Sequence, residues 1–222
     1  MSQTIWKQVD DYVNAHLVGA DPILDAVQAA GTKAGLPDIA VSPSQGKLLY
    51  LLARIHGAKR ILEVGTLGGY STIWLARALP PEGSLITLEA NPKHAEVAKS
   101  NIAHAGFAKI VDVRLGMAID TLPALEAQGR APFDLVFIDA DKASTPDYFT
   151  WALKLSRPGA VIIVDNVIRD GAIIDGDSTD PNIQGVRRFN DMLAAEPRVT
   201  ATTIQTVGSK GYDGFTLAVV NQ

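Results

Sequence analysis

The sequence predicts an α/β protein in which helices cover both faces of a mostly parallel β-sheet. Short apolar runs alternate with segments that carry apolar residues at helical spacing, and this alternation is typical of a parallel sheet with helical crossovers. The runs 133–138 and 159–165 are largely apolar, as expected for strands that are buried on both faces. A glycine-rich turn follows the run 60–64, which indicates a strand-to-helix connection where a ligand can bind.

Three helices are predicted before the first strand. Apolar residues at helical spacing within residues 5–17 indicate an amphipathic helix, and Pro22 marks the first turn of the next one. Either Ser42 or Ser44 is expected to cap the third helix, because a serine side chain can accept a hydrogen bond from an unpaired N–H of the first turn. This helix is expected to end near Gly57.

The remaining elements are predicted to alternate between strands and helices. The strands fall at about 60–64, 84–88, 110–115, 133–138 and 159–165, and the helices near 70–79, 92–105, 117–128 and 147–156. A long loop from Asn166 to Pro181 then leads to another helix and to two β-rich runs, 199–206 and 214–220. Glycines between these runs favour turns, so we expect a closing hairpin.

The composition predicts one domain. A chain of 222 residues with 47% hydrophobic residues can bury one substantial core, and no proline-, glycine- or serine-rich linker divides it. We expect a single domain over 1–222, with an N-terminal helical extension over 1–57 and an α/β core over 58–222.

Composition also narrows the functional classes. No apolar run approaches the roughly 20 residues that a membrane helix needs, and the first residues lack the pattern of a signal peptide, so a cytoplasmic location is expected. The chain has no cysteine, which excludes disulfides and thiolate metal sites. With a net charge of -4 and no basic cluster, the chain is not expected to bind nucleic acid or a membrane.

Polar side chains follow two of the buried strands. Asp139 ends the first apolar run, and Asp165 and Asn166 end the second. If the strands are neighbours, these oxygen ligands suit a hard cation such as Mg²⁺ or Ca²⁺, and Lys142 stands close by. The alternative is that both aspartates cap helices and that Lys142 forms an ordinary ion pair.

The glycine-rich turn predicts a nucleoside-type ligand. Gly65, Gly68 and Gly69 separate the first strand from a helix, but Leu67 replaces the second glycine of a dinucleotide motif, which argues against an oxidoreductase. Glu89 ends the next strand at about the 20-residue interval at which a carboxylate binds a ribose. The alternatives are a tight structural turn and a surface carboxylate. The buried Glu63 must also find a partner.

The segments ILEVGTLGGYS, LEANP, FDLVFIDADK and VIIVDN resemble a known family. They are similar to class I S-adenosylmethionine-dependent methyltransferases, and within them to the cation-dependent O-methyltransferases that include catechol and caffeoyl-CoA O-methyltransferases. The similarity spans about residues 38–220. It implies a Rossmann-like fold with a seven-stranded sheet, helices on both faces and an antiparallel last strand.

The resemblance also implies site residues and cofactors. It places around S-adenosylmethionine (SAM) the residues Val41, Glu63, Gly65, Thr66, Ser71, Glu89, Ala118, Asp139, Asp141 and Tyr148. It implies a cation held by Asp139, Asp165 and Asn166, with Lys142 as the catalytic lysine. The cation is expected to be Mg²⁺, with Ca²⁺ or Mn²⁺ as alternatives. The N-terminal helices are expected to shape the acceptor pocket or a homodimer contact.

The predicted function is cation-dependent transfer of a methyl group from SAM to a hydroxyl of a catechol-like small molecule. The family's substrate-side asparagine and glutamate fall near Asp170 and Val207, which leaves the acceptor open, and the lack of a basic cluster for coenzyme A favours free catechols. The loop 166–181 is a candidate lid. The alternatives are a tRNA hydroxyuridine O-methyltransferase and a non-catalytic SAM-binding module.

Two sets of polar residues are expected to lie outside the site. The four histidines have no ligand-like spacing and are expected to be structural or solvent-facing; they are His16, His56, His94 and His104. The acids of the long loop lack the order of a calcium loop and are expected to be solvated; they are Asp170, Asp175, Asp177 and Asp180.

Overall fold

A computed structural model describes residues 3–222 of the chain. Helix α1 continues into a π-helical turn, Asn14–Val18. The α-helices are α1 Gln3–Val13, α2 Pro22–Lys33, α3 Pro43–His56, α4 Tyr70–Ala78, α5 Pro92–His104, α6 Ala118–Ala127, α7 Thr145–Leu155 and α8 Pro181–Ala195. In this part of the chain, every helix is too short or too polar to span a lipid bilayer.

Seven strands form one sheet in the order β3-β2-β1-β4-β5-β7-β6. The first five strands run parallel, whereas β7 pairs antiparallel with both β5 and β6. The strands are β1 Arg60–Val64, β2 Ser84–Glu89, β3 Val111–Leu115, β4 Phe133–Ile138, β5 Ser156–Asp165, β6 Val199–Gly208 and β7 Gly211–Val220. The predicted mostly parallel sheet with an antiparallel last strand is therefore confirmed.

The sheet is buried because its strands present apolar residues to both faces. Leu62, Val64 and Ile138 pack toward α6, α7 and α8 on one face, and Ile61 and Phe137 pack toward α3 and α4 on the other. All five side chains are almost completely buried. The polar Glu63 lies between Leu62 and Val64 in β1, so this position needs a local polar environment.

Helix α3 has the caps that the sequence predicts. Ser42 accepts a hydrogen bond from Gln45 N, and Gly57 ends the helix with a left-handed φ of 67°. The second candidate cap, Ser44, instead donates to Asn14 Oδ1 at 2.6 Å and ties α3 to the π-helical turn. The cap matters for the site, because it fixes the first turn of α3, which carries Gln45.

The structure corrects three predicted boundaries. Strand β5 begins at Ser156 rather than near 159, and the closing hairpin turns over residues 209–210 alone instead of the longer glycine-containing stretch. Part of the predicted loop 166–181 forms 3-10 turns within Arg169–Ile174, which left-handed φ values at Asp170 and Gly171 interrupt. Such short elements lack a hydrophobic period, so the pattern of the sequence does not reveal them.

Helix α1 leaves its apolar residues exposed in the isolated chain. Ile5, Val9 and Tyr12 are all exposed, as is Leu17 in the turn that follows, and no residue of α1 is buried. The helix contacts β6, the outermost strand, whose residues are also largely exposed. The predicted amphipathic helix is therefore present, but its apolar face is not buried against the rest of the same chain.

Candidate active site

The sheet register brings the predicted metal ligands to one edge. Val64 pairs with Ile138, and Ile138 pairs with Val164, so the residues that follow β4 and β5 leave the sheet at the same level. Asp139 and Asp165 are therefore adjacent, as expected for parallel neighbours. A cavity of about 540 Å³ opens above this edge and extends across the ends of β1 and β2.

A glycine is required directly after β1, where the backbone approaches the segment that follows β4. Gly65 has a φ of 97°, and a Cβ atom at this position would lie 2.0 Å from the carbonyl oxygen of Asp139. This clash is with backbone, which cannot move aside as a flexible side chain can. Any other residue at position 65 would therefore displace the whole Asp139 segment from the end of the sheet. Gly65 thus couples the glycine-rich turn to the predicted metal ligand.

Glu63 is a fully buried carboxylate beneath the cavity. It accepts hydrogen bonds from the hydroxyls of Ser71, Thr72 and Thr87, so each of its oxygens is paired. Burial raises the pKa of Glu63 to about 7; the three hydroxyls lower it, and the charge of Asp139 raises it. The carboxylate ties the start of α4 to β1 and β2, and so shapes the floor of the cavity.

Glu89 holds the glycine-rich turn from the end of β2. Its Oε2 accepts hydrogen bonds from Thr66 N at 3.2 Å and Leu67 N at 2.8 Å, while its Oε1 accepts one from Asn91 N at 2.9 Å. Leu67 has a left-handed φ of 51°, which aims two successive N–H groups at one carboxylate. His94 Nδ1 lies 3.6 Å from Oε1.

Lys142 is buried beside Asp139. Its Nζ donates to Asp139 Oδ1 at 2.8 Å, and the lysine side chain is 9% exposed. Its backbone belongs to a 3-10 helix, Lys142–Ser144, which packs against α8 at Gly185. A Cβ atom at Gly185 would lie 2.1 Å from the carbonyl oxygen of Lys142, so this glycine permits the close approach that fixes the lysine.

Asp165 is held by neutral donors. Its Oδ2 accepts a hydrogen bond from Gln45 Nε2 at 2.7 Å, and its Oδ1 accepts one from Asn166 N at 2.9 Å. Asn166 has a left-handed φ of 55°, a conformation that asparagine tolerates better than most residues. Burial and the charge of Asp139 raise the pKa of Asp165 well above its usual range, although Lys142 and the two donors lower it.

The charges at this edge suit a divalent cation. The charge of Asp139 raises the pKa of both Glu63 and Asp165, and Lys142, whose Nζ pairs with Asp139, lowers that of Asp165. Two carboxylates and an amide oxygen form a donor set of the kind that Mg²⁺ accepts. Within residues 3–222 no cluster of three His, Cys, Asp or Glu side chains could hold a metal, so the fit depends on the amide of Asn166.

Asp141 and Tyr148 form a hydrogen-bonded pair in the segment that follows Asp139. The Tyr148 hydroxyl donates to Asp141 Oδ1 at 2.5 Å, and Asp141 Oδ2 accepts from Ser144 N. Burial, followed by the neighbouring Asp141 carboxylate, raises the pKa of Tyr148. The phenol therefore remains a hydrogen-bond donor, and both residues line the cavity.

The cavity brings together most of the residues singled out in the sequence. Glu63 and Asp165 lie behind the surface, where they hold other side chains. The lining includes Val41, Gly65, Thr66, Ser71, Glu89, Ala118, Asp139, Asp141, Lys142, Tyr148 and Asn166.

Several residues at the site were not indicated by the sequence. Gln45 comes from α3, 120 positions before its partner Asp165, and no local pattern connects the two. The cavity is also lined by Tyr70, His94, Arg169 and Asn182. His94 was expected to be structural or solvent-facing, but its helix begins beside the end of β2, and this places it in the cavity.

The long-loop acids do not form a second centre. Asp180 caps α8, and Asp175 accepts a hydrogen bond from Asp177 N. Asp170 has a left-handed φ of 56° and does not line the cavity, and Val207 is exposed in the terminal hairpin, also away from it.

Comparison with known proteins places this site in a family. A family model described as O-methyltransferase matches residues 14–220. A catechol O-methyltransferase from Niastella koreensis is 55% identical over 220 residues, which cover 99% of this chain and 100% of that protein.

Two solved structures have nearly the same fold. An O-methyltransferase from Bacillus cereus, in complex with SAH, has a TM-score of 0.98 and 56% identity, covering 99% of this chain and 100% of the other. The O-methyltransferase TomG from Streptomyces achromogenes, involved in tomaymycin synthesis and solved with SAM, has a TM-score of 0.96 and 57% identity, covering 100% of both chains. With a family match over most of its length, this chain belongs to the O-methyltransferase family and is an enzyme of that class.

Proposed function

We propose that this O-methyltransferase transfers the methyl group of SAM to one hydroxyl of a catechol-like small molecule and needs a divalent cation to do so. The observation that carries the proposal is the convergence of Asp139, Asp165, Asn166 and Lys142 at one edge of a cavity that also contains Glu89 and the glycine-rich turn. The name of the Niastella koreensis relative supports the catechol acceptor, and the two solved relatives support SAM and its product SAH.

The cation would be held by Asp139, Asp165 and Asn166. When bound, it would supply positive charge that stabilises a deprotonated hydroxyl and favours acceptors with two adjacent hydroxyls, which can chelate it. Gln45 and the backbone of Asn166 keep the Asp165 carboxylate oriented for this role. We propose Mg²⁺ as the cation, with Ca²⁺ or Mn²⁺ as alternatives.

Lys142 is the proposed general base. Its Nζ sits at the cavity wall, 2.8 Å from Asp139 Oδ1, and its backbone is fixed by the packing of Gly185. The step starts from the neutral amine of Lys142. The acceptor O–H bond breaks with transfer of the proton to Nζ, the oxygen forms a bond to the methyl carbon, and the carbon–sulfur bond breaks with its electron pair left on sulfur. The sulfonium charge is lost as the lysine gains a proton, so charge is conserved.

The remaining residues position the methyl donor. Glu89 would accept hydrogen bonds from its ribose while it holds the turn at Thr66 and Leu67. Val41, Gly65, Ser71, Ala118, Asp141 and Tyr148 are proposed to enclose the rest of the donor, with Glu63 as support beneath it. A sulfonium methyl group needs no acid catalyst, so the enzyme acts mainly by holding oxygen, carbon and sulfur in line at about 3 to 3.5 Å.

The testing experiment compares acceptors with and without a cation. Purified protein is stripped with EDTA, incubated with methyl-labelled SAM, and offered catechol, phenol, caffeoyl-CoA or tRNA that contains hydroxyuridine, with Mg²⁺, Mn²⁺, Ca²⁺ or none. We expect label in catechol only when a cation is present, and little in phenol. Equal transfer to phenol and catechol, or full activity after chelation, contradicts the proposal.

Other properties predicted from the sequence remain proposals. We propose that the chain acts as one methyltransferase domain, in the cytoplasm, as a homodimer. The exposed apolar residues of α1 and the exposed strand β6 support a dimer contact at this edge. Light scattering on the eluate of a sizing column tests the dimer, and a mass equal to that of one chain contradicts it.

A further inference from the structure

Arg169 is a cation of the cavity that the proposed chemistry does not use. It lies three residues after the predicted ligand Asn166 and lines the same cavity. Its side chain is 37% exposed, but its Nε–H is buried and has no hydrogen-bond partner within residues 3–222. A buried donor without a partner is rare, because it loses its hydrogen bond to water and gains nothing in return.

The backbone of Arg169 is held in an unfavourable conformation. Arg169 and Asp170 have left-handed φ values of 54° and 56°, which cost free energy for residues with a Cβ atom. Such a conformation persists only when the surrounding structure enforces it. One carboxylate oxygen, Asp213 Oδ1, provides that restraint by accepting hydrogen bonds from Ile168 N and Arg169 N, each at 3.0 Å.

A tight contact with β7 reinforces this restraint. Val167 N donates to the carbonyl oxygen of Gly214, and a Cβ atom at Gly214 would lie 2.6 Å from the side chain of Ile168. The loop therefore lies directly on the strand, and Arg169 projects from a rigid support rather than from a mobile loop.

The guanidinium of Arg169 has only a loose counterion. Its Nη1 lies 3.9 Å from Asp213 Oδ2, beyond hydrogen-bond distance. By contrast, Lys142 is paired with Asp139 at 2.8 Å. Arg169 thus keeps its hydrogen-bonding capacity on the cavity side, and the planar guanidinium matches the two oxygens of a carboxylate.

We infer that Arg169 selects acceptors that carry an anionic group, and that the preferred acceptors are catechols with a carboxylate on the ring or on a short side chain. This inference rests on the proposed function, because it takes the diol end of the acceptor to lie at Asn166 and Lys142. The carboxylate then meets the exposed part of the Arg169 guanidinium at the cavity wall. Arg169 is a specificity residue that contacts the non-reacting end of the substrate.

The competing role for Arg169 is recognition of the donor, whose methionine part also carries a carboxylate. The two roles predict different losses when the charge is removed. An acceptor role lowers kcat/KM only for anionic acceptors, whereas a donor role weakens binding of SAM and SAH and affects all acceptors equally.

The experiment uses a matched pair of acceptors, 3,4-dihydroxybenzoate and 3,4-dihydroxybenzamide, which differ in the charge of one group. The kcat/KM of each is measured for wild type, Arg169→Gln, Arg169→Lys and the control Arg54→Gln, which removes an exposed arginine outside the cavity. Calorimetry gives the Kd of SAH for each variant and the Kd of both acceptors for SAH-loaded protein with Mg²⁺. Thermal melting confirms that each variant is folded.

We expect Arg169→Gln to lower kcat/KM for the benzoate by about ten- to hundredfold, the range of a charge-assisted hydrogen bond, and that for the benzamide by less than about threefold. Arg169→Lys should keep part of the preference, and Arg54→Gln all of it. Equal losses for both acceptors, a weaker Kd for SAH alone, or a wild type that does not prefer the benzoate overturns the inference. If neither acceptor is methylated with any cation, the proposed function fails, and the acceptor Kd values still decide the role of Arg169.

Discussion

Two buried carboxylates, Glu63 in β1 and Asp165 at the end of β5, have different surroundings. Glu63 is enclosed by three hydroxyl donors from α4 and β2. Asp165 has one side-chain amide and one backbone N–H, and it faces a second carboxylate and a lysine. Burial raises the pKa of both groups.

Glu63 is a carboxylate that organises the fold, whereas Asp165 is a proposed ligand of the cation. Three neutral hydroxyls surround Glu63, whereas each oxygen of Asp165 has a single donor. Asp165 shares its negative surroundings with Asp139, and this arrangement is favourable only when a cation is nearby. The end of the cavity proposed to hold SAM is thus organised by hydrogen bonds, and the end proposed to hold the cation by charge.

The largest effect is expected at the charged end, from Lys142→Met. Loss of a general base should lower kcat by about 10² to 10⁴-fold, while the Kd of SAH stays close to that of wild type because the donor end is intact. Single-turnover rates and calorimetry measure the two quantities. The control Lys154→Met removes an exposed lysine paired with Glu126. Full activity of Lys142→Met would exclude this lysine as the base.

Glu63→Gln tests the hydrogen-bonded end through pH. The folded-state pKa of Glu63 is raised from its model-peptide value of 4.5 to about 7, so the folded protein keeps a proton that the unfolded chain releases. Stability from this group is therefore lost as pH rises between these values, by about 3 kcal/mol in total. Urea unfolding at pH 5 and pH 8 should show this loss in wild type and a smaller one in the variant.

The control for this measurement is Glu126→Gln, which alters an exposed carboxylate. Comparing each variant with wild type at both pH values cancels the contributions of other groups, including Asp165. The interpretation of Glu63 is wrong if Glu63→Gln and wild type lose the same stability between pH 5 and pH 8.

Gln45→Leu tests whether the amide of α3 orients Asp165. Removal of a partner that holds a metal ligand typically weakens metal binding by about 10- to 100-fold. Titration with Mn²⁺, followed by the electron paramagnetic resonance of the free ion, measures this affinity without catalysis. Gln28→Leu, at an exposed position of α2, is the control. An unchanged Mn²⁺ affinity would show that Gln45 has no such role.

The smallest effect is expected from Glu89→Gln, which exchanges a carboxylate for an amide of the same shape. The hydrogen bonds from Thr66 and Leu67 lose their charge assistance, so the Kd of SAH should rise by about tenfold. The Mn²⁺ affinity should not change, because Glu89 lies at the other end of the cavity. The control is Glu96→Gln on α5, and equal losses of both affinities would contradict the separation of the two ends.

The positions of the polar residues at the strand ends could be predicted from the sequence because the predicted sheet is parallel. The residues that follow buried strands in such a sheet meet at one edge, and this placed Asp139, Asp165 and Asn166 together without knowledge of any contact. The glycine-rich turn and Glu89 follow the same logic. The alternation of apolar strands with amphipathic helices, together with the polar residues at the strand ends, thus predicts the sheet and the location of the cavity.

The sequence could not indicate which residues from distant elements reach the site. Gln45 is brought to Asp165 by the packing of α3, and Gly185 supports Lys142 from α8. Neither residue has a local signal, because each acts through a partner far away in the chain. The apolar face of α1 indicated the correct helix but not what covers that face, since periodicity defines a face without naming its partner.

The sequence by itself determined the order of strands and helices along the chain, the glycine-rich turn and the polar groups at the strand ends. These features depend on local periodicity and on the geometry of parallel strands. Only the tertiary structure decided that Glu63 is saturated by hydroxyls, that Asp165 is oriented by an amide, and that Arg169 keeps a buried donor unpaired. Hydrogen-bond partners and electrostatic surroundings are properties of the packed chain, and they arise when distant segments exclude water from the same small volume.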